Sequence, residues 1–203
     1  MTSDCTTIYL VRHAHADWEP DENRPLSKRG REDAKAVGHI LEQFPIDAIY
    51  ASPYRRAYET VEPLAHALGL EIKIEPDLRE RALGRIQPEM FVAAVKKTWD
   101  DQMFSHPGGE TNLAAQKRGL AVLNRVRRTP GQSQIVLSTH GVMMTLLLQS
   151  FDSSLGFAFW ASLSMPDIYA VEFCNGGRIQ IRRIWHGSAK SAKLGYTGTV
   201  VQL

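Results

Sequence analysis

The chain has 203 residues, of which 43% are hydrophobic and 23% are charged, and its formal net charge is +2. A chain of this size and composition can bury a sizeable core, and we expect one domain over residues 1–203. The basic residues are spread along the sequence, which argues against a nucleic-acid partner. The N-terminus shows no signal-peptide pattern, and no apolar run approaches the roughly 20 residues of a membrane helix. We therefore expect a cytoplasmic protein without a membrane partner.

The chain has two cysteines, Cys5 and Cys174, which lie far apart and outside any C-x-x-C pattern. This spacing argues against a metal site. It favours two free thiols, although a single disulfide is compatible with it.

The first part of the chain alternates between strand and helix patterns. Ser27 is a suitable N-cap, and the pair Ser52-Pro53 has the preferred order for an N-cap and a first helical residue. The patterns predict strands at 6–11, 47–52 and 70–74 and helices at 28–44 and 53–68, with a polar loop at 19–26. This alternation is typical of a mostly parallel sheet with helices on its faces.

The second part begins with an irregular segment at about 76–110. Asn175-Gly176-Gly177 is a hairpin signal between two late strands, so the sheet should have an antiparallel edge strand. The patterns predict helices at 88–102 and 111–128 and from 141 onward, and strands at 133–140, 167–173 and 178–185. The predicted fold is an α/β protein, a three-layer αβα sandwich with a mostly parallel central sheet.

Polar side chains follow three of the predicted strands. Arg12 and His13 follow the first, the arginine pair 55–56 follows the second, and His140-Gly141 follows the strand at 133–140. Ligands of open α/β sheets bind beyond the carboxyl ends of the strands. Arginine matches phosphate oxygens, a helix N-terminus after Gly141 would offer N–H groups, and neutral histidine is a nucleophile. The occurrence of these groups together, at the ends of three strands, predicts a phosphoryl-binding pocket that contains a histidine.

Five motifs occur in order between residues 8 and 142: YLVRHAHADW, SPYRRAYET, LRERALG, PGGET and STHG. The ordered set resembles the signatures of the histidine phosphatase superfamily, in its phosphoglycerate mutase-like branch 1. RPLSKRGREDA is also similar to the family's stretch between its first strand and first helix. The resemblance implies a phosphatase domain whose 76–110 segment faces a small phosphorylated substrate, with no cofactor and no metal.

The resemblance also implies roles for the pocket residues. His13 would be the nucleophile that becomes phosphohistidine, and Arg12 would hold the phosphoryl group. Arg56 rather than its neighbour would be the second phosphate arginine, because the family pattern S-P-x-x-R-A fixes that register. His140 would polarise a phosphoryl oxygen, and Gly141 would add a phosphate-binding N–H.

Glu80 matches the family's proton donor, which protonates the leaving alcohol and then activates water. Glu89, Glu110 and Asp17 also lie in loops that could reach the pocket, so the residues alone leave four candidates for this role.

The chain departs from the family pattern near the nucleophile. Ala14 and His15 stand where many members have Gly-Glu, and Glu19 stands where many have an asparagine. His15 is therefore a candidate to face the substrate. The Phe-x-Gly-Trp-x-Asp stretch of the mutases is absent between 19 and 30, which favours a phosphatase over a mutase.

The sequence thus predicts a metal-independent phosphomonoester hydrolase, with a phosphomutase on the same scaffold as the alternative. A metal-dependent hydrolase using His13, His15, His106 and His140 would suit a (β/α)₈ barrel of about 250 residues. That interpretation leaves the arginines without a role. A binding module without catalysis is a fourth interpretation, which the presence of Glu80 disfavours. The substrate and the oligomeric state are open.

Overall fold

The computed structural model describes residues 5–17, 19 and 23–187, together with the backbone of 199–202. Within these residues the strands are β1 Cys5–Arg12, β2 Ala48–Ala51, β3 Ile72–Ile74, β4 Gln134–Thr139, β5 Asp167–Cys174, β6 Arg178–Arg183 and β7 Thr199–Gln202. The α-helices are α1 Lys28–Leu41, α2 Arg55–Leu68, α3 Phe91–Asp100, α4 Asn112–Val126, α5 Gly141–Gln149 and α6 Phe157–Ser162.

All of these strands belong to one sheet with the order β3-β2-β4-β1-β5-β6-β7. Strands β3, β2, β4 and β1 are parallel, and β5 pairs antiparallel with β1. Strands β6 and β7 continue the antiparallel pairing. The predicted mostly parallel sheet is confirmed. Its antiparallel part is larger than the predicted edge strand, because β5 pairs antiparallel with β1 and is followed by β6 and β7.

Helices cover both faces of the sheet. In β1, Ile8 and Leu10 point into a cluster that includes residues of α4 and α5. Tyr9 and Val11 point into a second cluster that includes residues of α1 and α2. Burial on both faces explains the continuous apolar run of β1. The three-layer αβα sandwich predicted from the sequence is therefore confirmed.

Several element boundaries differ from the sequence prediction. Ser27 does cap α1, because its Oγ accepts the N–H of Gly30 at 3.0 Å, but the helix ends at Leu41. Helix α2 begins at Arg55 and not at Pro53, with Tyr54 in extended backbone conformation as its N-cap residue. The predicted 88–102 helix is a short 3₁₀ turn followed by α3. Helix α6 was missed because a six-residue segment with five apolar residues shows no helical period.

Cys5 and Cys174 form a disulfide, so the prediction of two free thiols was wrong. The antiparallel register of β1 and β5 places the two residues directly opposite each other, with their Cα atoms 4.1 Å apart. Only the β1–β5 pairing, which is invisible in the spacing of the cysteines, brings them together.

No helix in the described part of the chain is both long and apolar enough to cross a membrane.

Candidate active site

The predicted pocket forms where β1, β4 and β2 end side by side. The N–H of His13 donates to Thr139 O at 2.9 Å, and the N–H of Ser52 donates to Ser138 O at 2.9 Å. Backbone bonds thus hold the three segments in register beyond their strands. The rings of His13 and His140 lie with their centroids 5.1 Å apart. The structure therefore brings together both histidines that the sequence placed at this edge.

His13 is held in one tautomer by its own backbone. Its Nδ1 lies 2.7 Å from Ala14 O, and a carbonyl oxygen can only accept, so Nδ1 carries the proton. The Nε2 atom then holds a lone pair, which accepts a hydrogen bond from Arg56 Nε at 3.2 Å. Burial, followed by the charge of Arg56, holds the pKa of His13 well below its ordinary 6.5, although the bond to Ala14 opposes this. His13 is a neutral imidazole at neutral pH.

Arg12 lies beside His13 with part of its guanidinium uncommitted. Its NH1 donates to Leu163 O at 2.9 Å and to Ser164 O at 3.3 Å. Its Nε is buried and has no hydrogen-bond partner among the described residues. A Cβ at Gly141 would lie 3.1 Å from Arg12 Cζ, so glycine there leaves room for the guanidinium. Burial lowers the pKa of Arg12, opposed by the charges of Glu80 and Asp167.

Arg56 and His140 are buried on the α2 and β4 side of the pocket. Arg56 is 5% exposed, and its guanidinium stacks over the Tyr54 ring at 4.8 Å. His140 is fully buried, with Nε2 at 2.8 Å from Ser52 Oγ. Its Nδ1 has no partner in the described part of the chain. Burial comes first, followed by the charge that His13 carries when protonated and by the charge of Arg56, and together they lower the pKa of His140 well below 6.5.

Glu80 occupies the N-terminus of α5. Its carboxylate accepts the N–H groups of Val142 at 3.1 Å and Met143 at 3.0 Å, and also that of Arg81 at 2.9 Å. We expected the N–H groups at the start of α5 to be available to phosphate. This was wrong for the N–H groups of Val142 and Met143, which bind Glu80 instead. The favourable end of the helix dipole binds the carboxylate of the protein itself. The carboxylate of Glu80 is thereby fixed at the residues that follow Gly141, where its charge acts on the pKa of Arg12.

Arg118 of α4 holds the segment that carries Glu80. Its guanidinium donates to the carbonyl oxygens of Asp77, Arg79 and Glu80 at 2.6–3.3 Å. It also binds both carboxylate oxygens of Glu110 at 2.8 Å. Although burial pushes the pKa of Glu110 upward, the hydrogen bonds and charge of Arg118, together with the charge of Arg79 and the N–H of Ala82, outweigh it and the pKa is lowered. Glu110 therefore acts as an ionised anchor.

The remaining candidates for a proton donor lie in solvent. The Asp17 side chain is 77% exposed, and Glu89 is exposed at the start of the turn before α3. His15, the candidate to face the substrate, hydrogen-bonds Ser27 Oγ through Nδ1 at 2.8 Å and is 44% exposed. The structure thus leaves Glu80 as the candidate carboxylate that adjoins Arg12.

The metal-site alternative finds no support in the arrangement of side chains. His106, one of its proposed ligands, has its Nε2 at 3.1 Å from Ala94 O. Among the described residues no group of three or more His, Cys, Asp or Glu side chains is arranged to hold a metal ion. The open sheet also differs from a (β/α)₈ barrel.

Sequence reasoning missed three polar residues of the site. Ser52 was assigned to a helix cap but contacts His140, and Arg118, which binds the segment carrying Glu80, was not singled out. Arg24, in the loop before α1, lies near enough that its charge contributes to the lowered pKa of both His13 and His140. The RPLS motif contained Arg24, but no pattern in it indicated a role.

Comparison with known proteins finds relatives among phosphoglycerate mutase-like proteins and phosphatases. Probable phosphoglycerate mutase GpmB of Escherichia fergusonii is 26% identical over 168 residues, which cover 76% of this chain and 77% of that protein. The solved structure of Bacillus stearothermophilus YhfR superposes with a TM-score of 0.68 at 28% identity, over 84% of this chain and 93% of that chain. A mycobacterial glucosyl-3-phosphoglycerate phosphatase shares the fold, with a TM-score of 0.69 at 23% identity over 83% and 90% of the chains.

The sequence profile of the family described as "Histidine phosphatase superfamily (branch 1)" matches residues 8–184, which include every strand and helix that builds the pocket. The chain belongs to the histidine phosphatase superfamily, as an enzyme related to the phosphatases and phosphoglycerate mutases of its branch 1.

Proposed function

We propose that this protein is a metal-independent phosphomonoester hydrolase that passes through a phosphohistidine at His13. The observation that carries the proposal is the state of the His13 ring. Nδ1–H is committed to Ala14 O, and the lone pair of Nε2 is held against the Arg56 guanidinium. A buried, neutral imidazole with its lone pair beside a phosphate-binding group is a nucleophile for phosphorus.

In the first half of the reaction, the Nε2 lone pair of His13 attacks phosphorus and the ester P–O bond breaks. The departing oxygen takes a proton from Glu80, and the phosphoryl group remains on Nε2. Arg12 and Arg56 bind the non-bridging oxygens, and His140 and the N–H of Gly141 add hydrogen bonds. These groups stabilise negative charge on the equatorial oxygens, where phosphoryl transfer concentrates it.

In the second half, water attacks the phosphohistidine. Glu80, now a carboxylate, accepts a proton from that water, and the P–N bond breaks so that its electron pair returns to Nε2. Inorganic phosphate leaves, and Nδ1–H stays bonded to Ala14 O throughout. The backbone N–H groups that hold Glu80 keep its carboxyl in place for both proton transfers.

A phosphomutase is the second candidate, because a 26% identical relative is named a probable phosphoglycerate mutase. It would use the same phosphohistidine and differ in the acceptor, which would be a hydroxyl group of the substrate instead of water. Incubation with a monophosphate that carries a free hydroxyl separates the two, since the hydrolase releases inorganic phosphate and the mutase gives a positional isomer.

We also propose that residues 1–203 form a single domain in which the 76–110 segment contacts a small phosphorylated substrate. The position of Glu80 beside Arg12 supports this, because it brings that segment to the pocket. Neither a nucleic acid nor a membrane is proposed as a partner.

A cytoplasmic location is part of the proposal, and the disulfide gives a test of it. Cytosolic thiols are ordinarily kept reduced. Fractionation of the source cells with immediate thiol alkylation should find the protein in the cytoplasmic fraction, where the Cys5–Cys174 disulfide of the structure would be exposed to reduction. Recovery of an oxidised protein outside that fraction would contradict the location.

The proposed activity is tested with a panel of phosphomonoesters, including p-nitrophenyl phosphate and alkyl phosphates, with and without EDTA. We expect release of inorganic phosphate that EDTA does not reduce, because the guanidinium groups supply the positive charge. Loss of activity with EDTA and its recovery with zinc or manganese would contradict the proposal.

A further inference from the structure

A cavity of about 380 Å³ lies at the amino end of β1, at the opposite end of that strand from His13. Both cysteines of the disulfide, Cys5 and Cys174, line this cavity. Both are only partly buried, so the disulfide lies at the cavity wall and not inside the core. A volume of this size is within the range of small-molecule sites. A small molecule can therefore reach the disulfide in the folded protein.

Arg127 places a positive charge in the wall of the same cavity. Its guanidinium lies over the Phe173 ring at 4.9 Å, and its Nε donates to Asn124 Oδ1 at 3.0 Å. These two contacts hold the guanidinium at the cavity. No carboxylate in the described part of the chain pairs with it. The cation is therefore fixed in place and has no acidic partner of its own among these residues.

Two carboxylates adjoin the residues that line the cavity, and both are held by other donors. Asp47 accepts hydrogen bonds from the N–H and the Oγ of Ser133 at 2.7 and 3.0 Å. Glu172 of β5 pairs with Arg182 at 3.5 Å. Neither carboxylate lines the cavity, and Arg127 is the charged side chain among the described residues that do. The cavity therefore favours an anionic molecule beside the disulfide.

We propose that this cavity is a thiol-exchange site, at which a small thiol that carries a carboxylate or sulfonate group reacts with the Cys5–Cys174 disulfide. The anionic group of the thiol binds Arg127, which holds the thiol beside the two sulfur atoms. The inference is independent of the proposed phosphatase activity, because the cavity shares no residue with the phosphoryl pocket.

The exchange takes place in two steps, with the small thiol as the reductant. The thiol loses its proton to water, and its thiolate attacks one cysteine Sγ. A bond forms to that sulfur, the bond between the two cysteines breaks, and the electron pair leaves on the other cysteine as a thiolate. A second small thiolate then attacks the small-molecule sulfur of the mixed disulfide. This step releases the remaining cysteine thiolate, and the two small molecules depart joined by a disulfide.

Three two-carbon thiols that differ in charge are the probes: 2-mercaptoethanesulfonate is anionic, 2-mercaptoethanol is neutral and cysteamine is cationic. Mass spectrometry after alkylation measures the second-order rate at which the oxidised wild type loses its disulfide. Each rate is divided by the rate of the same thiol with 2-hydroxyethyl disulfide, because thiols differ in intrinsic nucleophilicity. We expect the anionic thiol to react roughly fourfold faster than the neutral one, and the cationic thiol to react most slowly, since a single exposed charge acts in screened solvent.

Variants of the cavity cation test its role directly. Arg127→Gln should abolish the preference for the anionic thiol, and Arg127→Lys should keep most of it. Arg128→Gln is the matched control, because Arg128 is exposed and does not line the cavity. Its charge is near enough to contribute, behind burial, to the lowered pKa of Arg127. The control should therefore keep the preference even though it removes a charge from the same neighbourhood.

Equal normalised rates for the three thiols in the wild type would overturn the inference, and this result needs no variant to fold. An equal loss of preference in Arg127→Gln and Arg128→Gln would also overturn it, because the preference would then come from the charge of the whole region. So would a rate that does not depend on thiol concentration or that rises steeply in dilute urea, because the disulfide would then react only after the chain unfolds. Failure of the purified protein to form the disulfide would overturn it as well.

Discussion

The two ends of β1 carry different kinds of structure. Its carboxyl end delivers Arg12 and His13 to the pocket, whereas its amino end carries Cys5, which is bonded to Cys174 of β5. The ends are about 23 Å apart at about 3.3 Å per residue. The amino end also opens into a cavity of about 380 Å³ lined in part by the disulfide. Arg127 is the charged side chain among the described residues that line it.

The difference shows that a concave surface does not by itself make an active site. Both ends offer polar atoms at the edge of the same sheet. Only the carboxyl end combines buried imidazoles of lowered pKa, arginines and a carboxylate held by backbone N–H groups. Parallel strands β4 and β2 create that convergence, because the carboxyl end of β4 lies between those of β1 and β2. At the amino end the covalent bond between neighbouring strands stabilises the sheet.

Removal of His13 is expected to have the largest effect on the catalytic activity at the carboxyl end of β1. His13→Ala should reduce kcat/KM more than a hundredfold while the chain stays folded, because no other lone pair replaces Nε2. Steady-state kinetics and circular dichroism measure the two effects. His39→Ala, an exposed histidine on α1, is the control and should keep wild-type activity. Retention of more than about a hundredth of the activity would rule out His13 as the nucleophile.

Glu80→Gln tests the acid at the same end. A general acid contributes roughly 10²–10⁴-fold, and most for a strongly basic leaving oxygen. We expect a loss of this size for an alkyl phosphate and a much smaller loss for p-nitrophenyl phosphate, whose leaving group needs little protonation. The measurement is kcat/KM for both substrates.

Glu89→Gln is the matched control, because Glu89 is an exposed carboxylate of the same segment. Equal losses for both substrates in Glu80→Gln, or no loss, would remove Glu80 from the role of acid and leave the phosphate-binding residues unaffected.

Cys174→Ser tests the amino end of β1. The substitution should lower the free energy of unfolding and leave the catalytic activity unchanged. The disulfide joins residues 169 positions apart, and removal of a native disulfide commonly costs about 2–4 kcal/mol of unfolding free energy. Urea denaturation of the oxidised wild type and the variant measures this loss. The kcat/KM of the folded variant should equal that of the wild type. A large fall in kcat/KM without a fall in stability would show that the two ends are coupled.

The fall of kcat/KM at acidic pH tests whether the pKa values of the two pocket histidines are lowered. Burial lowers the pKa of both His13 and His140 well below 6.5. Because its pKa is lowered, the His13 imidazole stays neutral, and able to act as a nucleophile, down to a lower pH than an ordinary histidine. We expect kcat/KM to hold through pH 6.5 and to fall only well below it. A limb centred at 6.5 would mean that the histidine behaves as if it were in water.

Much of the carboxyl end could be predicted from local sequence. A buried strand followed by Arg12-His13, and another followed by His140, placed both histidines correctly because strand ends converge in a parallel sheet. The roles of Ser52 and Arg118 could not be predicted in this way. Their partners lie 88 and 38–41 residues away in the chain, so only the packed fold reveals them.

The amino end was the less predictable region. The pairing of Cys5 with Cys174 depends on β5 returning beside β1, and the sequence predicted that β5 exists but not which strand it joins.

At the carboxyl end, the tautomer of the His13 ring could not be predicted from the sequence either, because the backbone carbonyl of Ala14 sets it. Local motifs therefore predicted which residues meet, whereas the local backbone conformation and the tertiary contacts determined their protonation and bonding.

The central claim is that Nε2 of His13 is the atom that takes the phosphoryl group. Rapid mixing with a phosphomonoester, an alkaline quench, peptide mapping and phosphorus NMR identify the phosphorylated atom directly. The structure predicts phosphohistidine at His13 with phosphorus on Nε2, because Nδ1 is committed to Ala14 O. Phosphorus on Nδ1 or on another residue, or a burst of product without a covalent intermediate, would contradict the account.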